Sequence, residues 1–310
     1  MTAAADVVVL DAPAARPHMA RTRPFYWSVR RELWEHHSIW IAPLVAAGVI
    51  LAGFMVAEFN PQGIHLNMSS GHGAGHMQRA QLPLWAPYAI ATVAVMLSAF
   101  VAAIFYCLGA LQNERRDRSI LFWKSLPVSD RTAVLAKAFV PFVVVPVAVL
   151  AIIAATQLIM IGVASALTAA RGGDVQALWT QVPMLRLSVV LLYGLTVLTL
   201  WHAPLWGWLL AVSAWSKRTA FLWAFGPPIA LSVFERIAFG TQYLSKAFGD
   251  RLIGGWGEGF AIHRGQMALT DISDIDVGKF VANPQMWLGL AVGGGLIAAA
   301  VWLRRRREPI

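Results

Sequence analysis

Charged residues are scarce in this 310-residue chain: Asp, Glu, Lys and Arg make up 13% of it, hydrophobic residues make up 58%, and the mean hydropathy is +0.60. A soluble domain of this size needs far more polar surface, so the composition excludes a soluble globular protein. Cysteine is nearly absent too, because Cys107 is the only one. This excludes disulfides and cysteine metal clusters as organising features.

Motifs of nucleotide hydrolysis and of common hydrolases are also missing. The only Gly-Lys pair begins at Gly278, and it lacks the preceding glycine of a phosphate-binding loop. The sequence contains no His-Glu-x-x-His helix, no Gly-x-Ser-x-Gly elbow and no recognisable Ser/His/Asp order. We therefore predict that the chain is not an enzyme and that it carries no cofactor of its own.

Six long apolar runs are present instead. A helix that crosses a bilayer needs about 20 mostly apolar residues, because at about 1.5 Å per residue that length spans about 30 Å of hydrocarbon. Helices also satisfy their own backbone groups, which lipid cannot do. The sequence predicts an all-α polytopic membrane protein, a single transmembrane domain over residues 25–310, with six transmembrane helices at residues 39–59, 84–111, 139–163, 187–212, 219–239 and 286–303.

The basic residues between these runs alternate between the two sides of the membrane. Most of the 25 Lys and Arg residues lie in the N-terminal arm, in the second and fourth loops and in the C-terminal tail: Arg16, Arg21, Arg23, Arg30, Arg31, Arg115, Arg116, Arg118, Lys124, Arg131, Lys137, Lys217, Arg218, Arg304, Arg305, Arg306 and Arg307. By the positive-inside rule, both termini are predicted to be cytoplasmic. The expected location is the bacterial cytoplasmic (inner) membrane, and the basic segments are expected to contact membrane lipid rather than nucleic acid.

The chain before the first run divides into two parts. Residues 1–24 are rich in Ala, Pro and Arg without periodicity, which predicts a disordered cytoplasmic arm, and they lack the apolar core of a cleavable signal peptide. Residues 25–37 predict an amphipathic helix at the cytoplasmic interface, or alternatively a plain extension of the first span. Its two faces carry Phe25, Tyr26, Val29 and Leu33 on one side and Ser28, Arg31, Glu32 and Glu35 on the other.

Proline and glycine interrupt several of the predicted spans. Each of the following positions is expected to kink or break its helix: Pro141, Pro146, Pro204, Gly226, Pro227 and Pro228. Such breaks are tolerated where protein or a water-filled cavity satisfies the released backbone groups, so the fourth and fifth helices are predicted to line the bundle interior. The long outer loop, residues 240–285, is expected to fold against the outer mouth.

The second loop, residues 112–138, carries the most specific pattern, NERRDRSILFWKSLPVSDRTAVLAKAF over residues 113–139. It resembles the cytoplasmic loop between the second and third spans in permease subunits of type-2 ATP-binding cassette (ABC) exporters. The matching residues are Glu114, Arg115, Leu126, Pro127, Val128, Ser129 and Lys137. At Arg118 the family often has glycine instead. The six-span layout, the amphipathic first helix and the long last outer loop extend the resemblance over most of the chain.

The resemblance implies that this loop forms a coupling helix docked in a cleft of a separate ATPase. It also implies two copies of that ATPase subunit, which bind ATP and Mg, and a second permease subunit, either the same or a related chain. Aromatic and arginine side chains are common interface anchors. The expected interface residues are Glu114, Arg115, Arg116, Asp117, Arg118, Ile120, Leu121, Phe122, Trp123, Lys124, Leu126 and Pro127. Alternatively, Phe122 and Trp123 dip into the bilayer surface.

Polar residues within the predicted spans are few, and each is a functional candidate by default. Gln157 and His202 are candidates for a translocation path, and Glu235 with Arg236 for an outer gate. The alternatives are packing for His202 and contact with outer headgroups for Glu235 and Arg236.

The first outer loop contains ligand types for copper or zinc, namely His65, Met68, His72, His76 and Met77. The glycine and serine residues between them favour an unstructured linker instead. Two other functions therefore stay open beside the exporter: a membrane redox or metal-binding anchor or enzyme that uses His202 or this loop, and a mechanical ABC complex that transports nothing.

Overall fold

The computed structural model describes residues 22–59, 84–117, 128–261 and 272–306. Within these ranges every regular element is a helix, and the only extended pairing is an isolated antiparallel bridge between Phe260 and Ile275. The prediction of an all-α fold is confirmed for these ranges.

The helices alternate between long apolar elements and short connecting ones. The N-terminal part contains α1 (Thr22–Glu35), α2 (Ser38–Phe59), α3 (Ala86–Ala110), α4 (Gln112–Arg116), α5 (Asp130–Phe139), a π-helical turn (Val140–Val144) and α6 (Val145–Ala170). The C-terminal part contains α7 (Val175–Gln181), α8 (Met184–Trp201), α9 (Ala203–Trp215), α10 (Ala220–Phe239), α11 (Tyr243–Ile253), α12 (Gly255–Gly259), a 3₁₀ turn (Ile272–Asp274), α13 (Val277–Ala282) and α14 (Pro284–Arg306).

Five helical segments of the described residues are long and apolar enough to cross a membrane: Ser38–Phe59, Ala86–Arg116, Asp130–Ala170, Val175–Trp201 and Pro284–Arg306. They support a membrane protein. The predicted number of spans was six, and α10, the helix at the fifth predicted span, is not among the five. It has 20 residues, but Pro227, Pro228, Glu235 and Arg236 lower its hydropathy.

Breaks or distortions at proline were predicted in the third, fourth and fifth spans, and the structure has them in the third and fourth. The fourth predicted span is two helices, because α8 ends at Trp201 and α9 begins at Ala203, directly before Pro204. Pro141 lies in the π-helical turn before α6, where the missing proline N–H removes a helical hydrogen bond. In contrast, α10 continues through Pro227 and Pro228 without a break.

Helix α9 packs along α14 through small residues. A Cβ atom added at Gly207 would lie 2.7 Å from the Gly293 carbonyl oxygen, and one added at Gly293 would lie 2.7 Å from the Ala203 carbonyl oxygen. Backbones this close need glycine at both positions. Further along both helices, Ala214 and Ala300 share a buried cluster. The two helices therefore run parallel and bring their C-terminal ends together.

The described part of the segment after α10 folds back onto the bundle. Trp201 Nε1 donates a hydrogen bond to the Asp250 carbonyl oxygen at 3.0 Å, and Arg251 Nη1 donates one to the Trp201 carbonyl oxygen at 3.2 Å. Helix α11 therefore reaches the break between α8 and α9 within the bundle.

Candidate functional site

Four helices meet at one end of the bundle and place their charged side chains in a common buried cluster. We call this group the charge cluster: Arg31 and Glu32 from α1, Glu114 from α4, Asp130 and Lys137 from α5, and Arg304 from α14. The exposed fractions are 1% for Glu32 and Lys137, 5% for Arg304 and 7% for Glu114. Charged groups are almost never buried to this extent unless they are paired.

Glu32 is the centre of one half of the charge cluster. Its Oε1 atom accepts hydrogen bonds from Lys137 Nζ and from Arg31 Nη2, both at 2.7 Å. Its Oε2 atom lies 3.2 Å from the Tyr106 hydroxyl, which donates to it. Both carboxylate oxygens of Glu32 therefore have partners, and these partners come from three different helices.

Glu114 organises the other half. Its Oε1 atom accepts a hydrogen bond from Arg31 Nη2 at 2.8 Å and lies 3.0 Å from Lys137 Nζ. Its Oε2 atom accepts a hydrogen bond from Arg304 Nη1, while Arg304 Nε donates to Asp130 Oδ1 at 3.1 Å. Arg31 and Lys137 thus bridge the two glutamates, and Arg304 extends the network to the start of α5.

The charge cluster is electrically balanced, since Arg31, Lys137 and Arg304 face the carboxylates of Glu32, Glu114 and Asp130. Balance matters because removing one partner of a buried ion pair leaves an uncompensated charge, at a cost of about 3–5 kcal/mol. Such a network adds little stability compared with an apolar core. It does connect α1, α4, α5 and α14 at this end of the bundle.

The electrostatics at α1 follow from this geometry. Burial by itself would raise the pKa of Glu32, but Lys137 and Arg31 outweigh it and hold that pKa below its ordinary value. Burial would likewise lower the pKa of Arg31, but Glu32 and Glu114 outweigh it and raise that pKa. Both groups are therefore charged at neutral pH.

Arg115, next to Glu114, holds the end of α9. Its Nη2 atom donates hydrogen bonds to the carbonyl oxygens of Ser213, at 2.9 Å, and Ser216. The Ser213 hydroxyl accepts from the backbone N–H groups of Leu111 and Gln112, each at 3.0 Å, and donates to the Leu108 carbonyl oxygen at 2.7 Å. The ends of α3, α4 and α9 are consequently joined.

The predicted interface residues fall into three groups. Glu114 and Arg115 are buried at the charge cluster and its edge. Arg116 and Asp117 are exposed, with Arg116 Nε 3.5 Å from Asp117 Oδ1. The remaining ones lie outside the described residues, as do the outer histidine and methionine residues: Arg118, Ile120, Leu121, Phe122, Trp123, Lys124, Leu126, Pro127, His65, Met68, His72, His76 and Met77.

Sequence reasoning missed most of the charge cluster. Glu32 lies on the polar face of the predicted amphipathic helix, and nothing in the sequence indicated that it is buried against Lys137 of α5. Arg304 is one of four consecutive arginines, and nothing local distinguishes it from the exposed Arg305. Glu114 and Lys137 carried a signal, because both belong to the motif that resembles ABC permeases, but that signal did not indicate their contact with Glu32 and Arg304.

Of the four predicted translocation and gate residues, Gln157 and His202 line one cavity of the bundle, whereas Glu235 and Arg236 do not. Gln157 Nε2 donates to Thr92 Oγ1 at 3.0 Å, between α6 and α3. Glu235 caps the start of α11, because its carboxylate accepts hydrogen bonds from Thr241 Oγ1 and from the backbone N–H groups of Tyr243 and Leu244. Arg236 is exposed.

His202 lies at the junction of α8 and α9, 5% exposed. Its imidazole ring packs against the rings of Phe100 and Trp206, with centroid distances of 5.2 and 6.2 Å.

Comparison with protein-family models, with curated proteins and with solved structures found no match to this chain.

Proposed function

We propose that this chain is the membrane-spanning permease subunit of an ABC exporter, which converts movement of a separate ATPase subunit into movement of the membrane helices. The supporting observation is the way both flanks of residues 118–127 are tied to the bundle. Glu114 and Arg115 precede this segment, and Asp130 and Lys137 follow it. All four have partners on other helices.

A force applied to residues 118–127 would therefore reach many helices at once. Through the charge cluster it acts on α1, α5 and α14, and through Arg115 and Ser213 it acts on α3 and α9. Buried ion pairs resist partial separation, because each broken pair leaves a desolvated charge. The helices would move as one body, which suits switching between inward-facing and outward-facing states.

In this proposal the charge cluster lies at the cytoplasmic end of the bundle, where the positive-inside rule puts the basic loops and both termini. The ATPase grips residues 118–127, with Phe122 and Trp123 as apolar anchors and the neighbouring charges as a polar rim. ATP and Mg are bound by that subunit, present in two copies, and a second permease completes the complex. Helix α10 is the fifth span in chain order and brings the number of spans to six.

Replacing Phe122 and Trp123 together by Asp tests the proposal. We expect the variant to integrate into the membrane with an unchanged unfolding temperature but to lose its ATPase partner on purification. A suitable control is Trp179→Asp, because Trp179 is a half-exposed aromatic residue on α7, far from the charge cluster. Equal recovery of the ATPase with both variants would refute the proposal.

A further inference from the structure

A cavity of about 740 Å³ lies within the bundle, apart from the charge cluster. Its walls come from α3, α6 and α8, and Leu252 and Trp256, at the turn between α11 and α12, close one side. The exposed side chains of Val93 and Leu97 mark where it opens on the flank of α3. This volume lies within the range of about 300–1,000 Å³ that is typical of small-molecule sites.

The lining of the cavity limits the charge of any ligand. No Asp, Glu, Lys or Arg side chain is among the lining residues that the structure describes, and Trp85, Phe100 and Trp256 contribute aromatic surface. A charged ligand would lose its hydration there without gaining a counter-ion, which is costly. The cavity therefore suits an uncharged, lipophilic molecule.

His202 supplies a polar mismatch in the cavity wall. Its Nδ1 atom lies 2.6 Å from the Leu198 carbonyl oxygen, and its Nε2 atom lies 3.3 Å from the Leu252 carbonyl oxygen. A neutral imidazole carries one N–H, and carbonyl oxygens only accept, so only one of these contacts is a hydrogen bond. The shorter distance assigns the proton to Nδ1. Nε2 and the Leu252 carbonyl oxygen are then two acceptors that face each other without a donor.

The alternative, a doubly protonated imidazolium, would satisfy both carbonyl oxygens but is opposed by its surroundings. His202 is buried, and Arg251 already supplies a positive charge at this helix junction, with its guanidinium 4.2 Å from the centre of the Trp201 ring. A buried positive charge on His202 would have no counter-ion among the lining residues of the cavity. The neutral ring, with its acceptor directed at Leu252, is the favoured state.

Trp206 adds a complementary feature one turn further along α9. It also lines the cavity, it is 5% exposed, and its Nε1 donor has no hydrogen-bond partner among the described residues. A buried polar group without a partner has lost its hydrogen bonds to water without replacement, which is unfavourable. The cavity wall thus lacks a donor at His202 and an acceptor at Trp206, and a hydroxyl or amide group can provide both.

We propose that this cavity binds an uncharged lipophilic molecule through a hydroxyl or amide group, which donates its hydrogen to His202 Nε2 and the Leu252 carbonyl oxygen. The apolar part of the molecule lies along α3 and α8. The same chemistry belongs to a solute on its way through the protein and to a neutral membrane lipid that carries an alcohol. Binding at this site does not depend on the exporter role.

The test measures binding to the full-length protein in lipid nanodiscs with a photoactivatable long-chain alcohol as the probe. Unlabelled dodecan-1-ol, dodecane and dodecanoate compete with it. We expect the alcohol to compete at a concentration about fivefold lower than the alkane, as one buried hydrogen bond provides. The carboxylate should compete least. Cross-links should map to the α3 and α8 walls of the cavity.

Variants at His202 separate recognition from folding. His202→Phe removes the acceptor and should reduce the affinity for the alcohol to that of the alkane, whereas His202→Gln keeps a side-chain acceptor and should retain part of the preference. Thr199→Val is the matched control, because the Thr199 hydroxyl on the same wall already donates to the Leu195 carbonyl oxygen. It should leave the preference unchanged.

Analysis of lipids extracted from the purified protein distinguishes a bound membrane lipid from a passing solute. A neutral lipid alcohol that copurifies with the wild type and is depleted in His202→Phe identifies a resident lipid. Probe binding without such a lipid identifies a passing solute. Equal competition by alcohol and alkane in the wild type, or an undiminished preference in a folded His202→Phe variant, would overturn the proposal.

Discussion

Lys137 Nζ lies 2.7 Å from Glu32 Oε1, and each side chain is 1% exposed. The two residues are 105 positions apart in the chain, on α5 and α1. Because neither charge reaches water, each depends on the other for its stability. The contact holds the N-terminal helix against the segment that leads from residues 118–127 into α6.

Removing this contact should destabilise the protein strongly. We expect Lys137→Met to lower the free energy of unfolding by about 3–5 kcal/mol, because Glu32 and Glu114 would then remain buried with one cation fewer. Glu35→Gln is the control, since the Glu35 side chain is 45% exposed and its Oε1 atom lies 3.4 Å from Arg31 Nε. Exposed pairs contribute about 0–1 kcal/mol. Denaturant titration in detergent measures the free energy of unfolding of both variants. Equal decreases would show that the Lys137–Glu32 contact contributes no more to stability than an exposed ion pair.

The sequence predicted the helices of this fold well and the charge cluster poorly, for a physical reason. Apolar runs and prolines act locally, so the long helices and the break at Pro204 could be inferred from spacing alone. The burial of Glu32 depends on Lys137 and Glu114, which are distant in sequence, and on how α1 packs against α5. An amphipathic pattern indicates two faces but does not reveal which of them meets protein.

The same limit explains Arg304 and α10. A run of arginines at a helix end indicates the side of the membrane, but only the packing of α9 against α14 selects which arginine meets Glu114. A helix was correctly predicted at the position of α10, but the expectation that it breaks at its prolines and lines the bundle interior was wrong. It continues through Pro227 and Pro228, and most of its side chains are exposed. Whether a helix continues through proline depends on the groups around it, and the positions of the prolines in the sequence do not reveal those groups.

A charge exchange tests the link between α4 and α14. Glu114→Arg should place a third guanidinium beside Arg31 and Arg304 and reduce the yield of folded protein. Adding Arg304→Glu restores an opposite charge beside position 114 and should recover part of the yield. Recovery should be incomplete, because Arg31 and Lys137 still face the new guanidinium and Asp130 faces the new carboxylate. Size-exclusion chromatography of a fluorescent fusion measures the recovery.

The control for this exchange is the adjacent position. Arg305 is exposed on the same helix turn, so Arg305→Glu should not rescue Glu114→Arg. Rescue by both substitutions would indicate a general effect of net charge instead of the contact that the structure shows.

Ser213 offers a smaller and sharper test of the junction between α3 and α9. Ser213→Ala should cost about 2–3 kcal/mol, because it leaves the buried N–H groups of Leu111 and Gln112 without an acceptor. Ser216→Ala is the matched control, since the Ser216 hydroxyl is buried without a hydrogen-bond partner in the described part of the chain. Ser216→Ala should therefore hardly change the free energy of unfolding. A larger decrease for Ser216→Ala than for Ser213→Ala would contradict the hydrogen bonds that the structure shows for Ser213.

Acid should weaken the charge cluster in a defined direction. The pKa of Glu32 is lower in the folded protein than its ordinary value of 4.5, so its contribution to stability is complete above pH 4.5 and is lost as the pH falls through the folded pKa. Unfolding temperatures measured between pH 7 and pH 3 should therefore decline less steeply on the acid side for Glu32→Gln than for the wild type. Parallel profiles would mean that Glu32 is not paired as described.

Orientation in the membrane decides whether an ATPase can reach residues 118–127. In a Cys107→Ser background, a cysteine introduced by Asp117→Cys reports on the end with the charge cluster, and one introduced by Gln176→Cys reports on the other end, since both positions are exposed. We expect a membrane-impermeant maleimide to label the Gln176→Cys variant in intact cells and the Asp117→Cys variant only after permeabilisation. The reverse pattern would put the charge cluster outside, where no cytosolic ATPase could act on it, and would exclude the exporter proposal whatever the stability of the cluster.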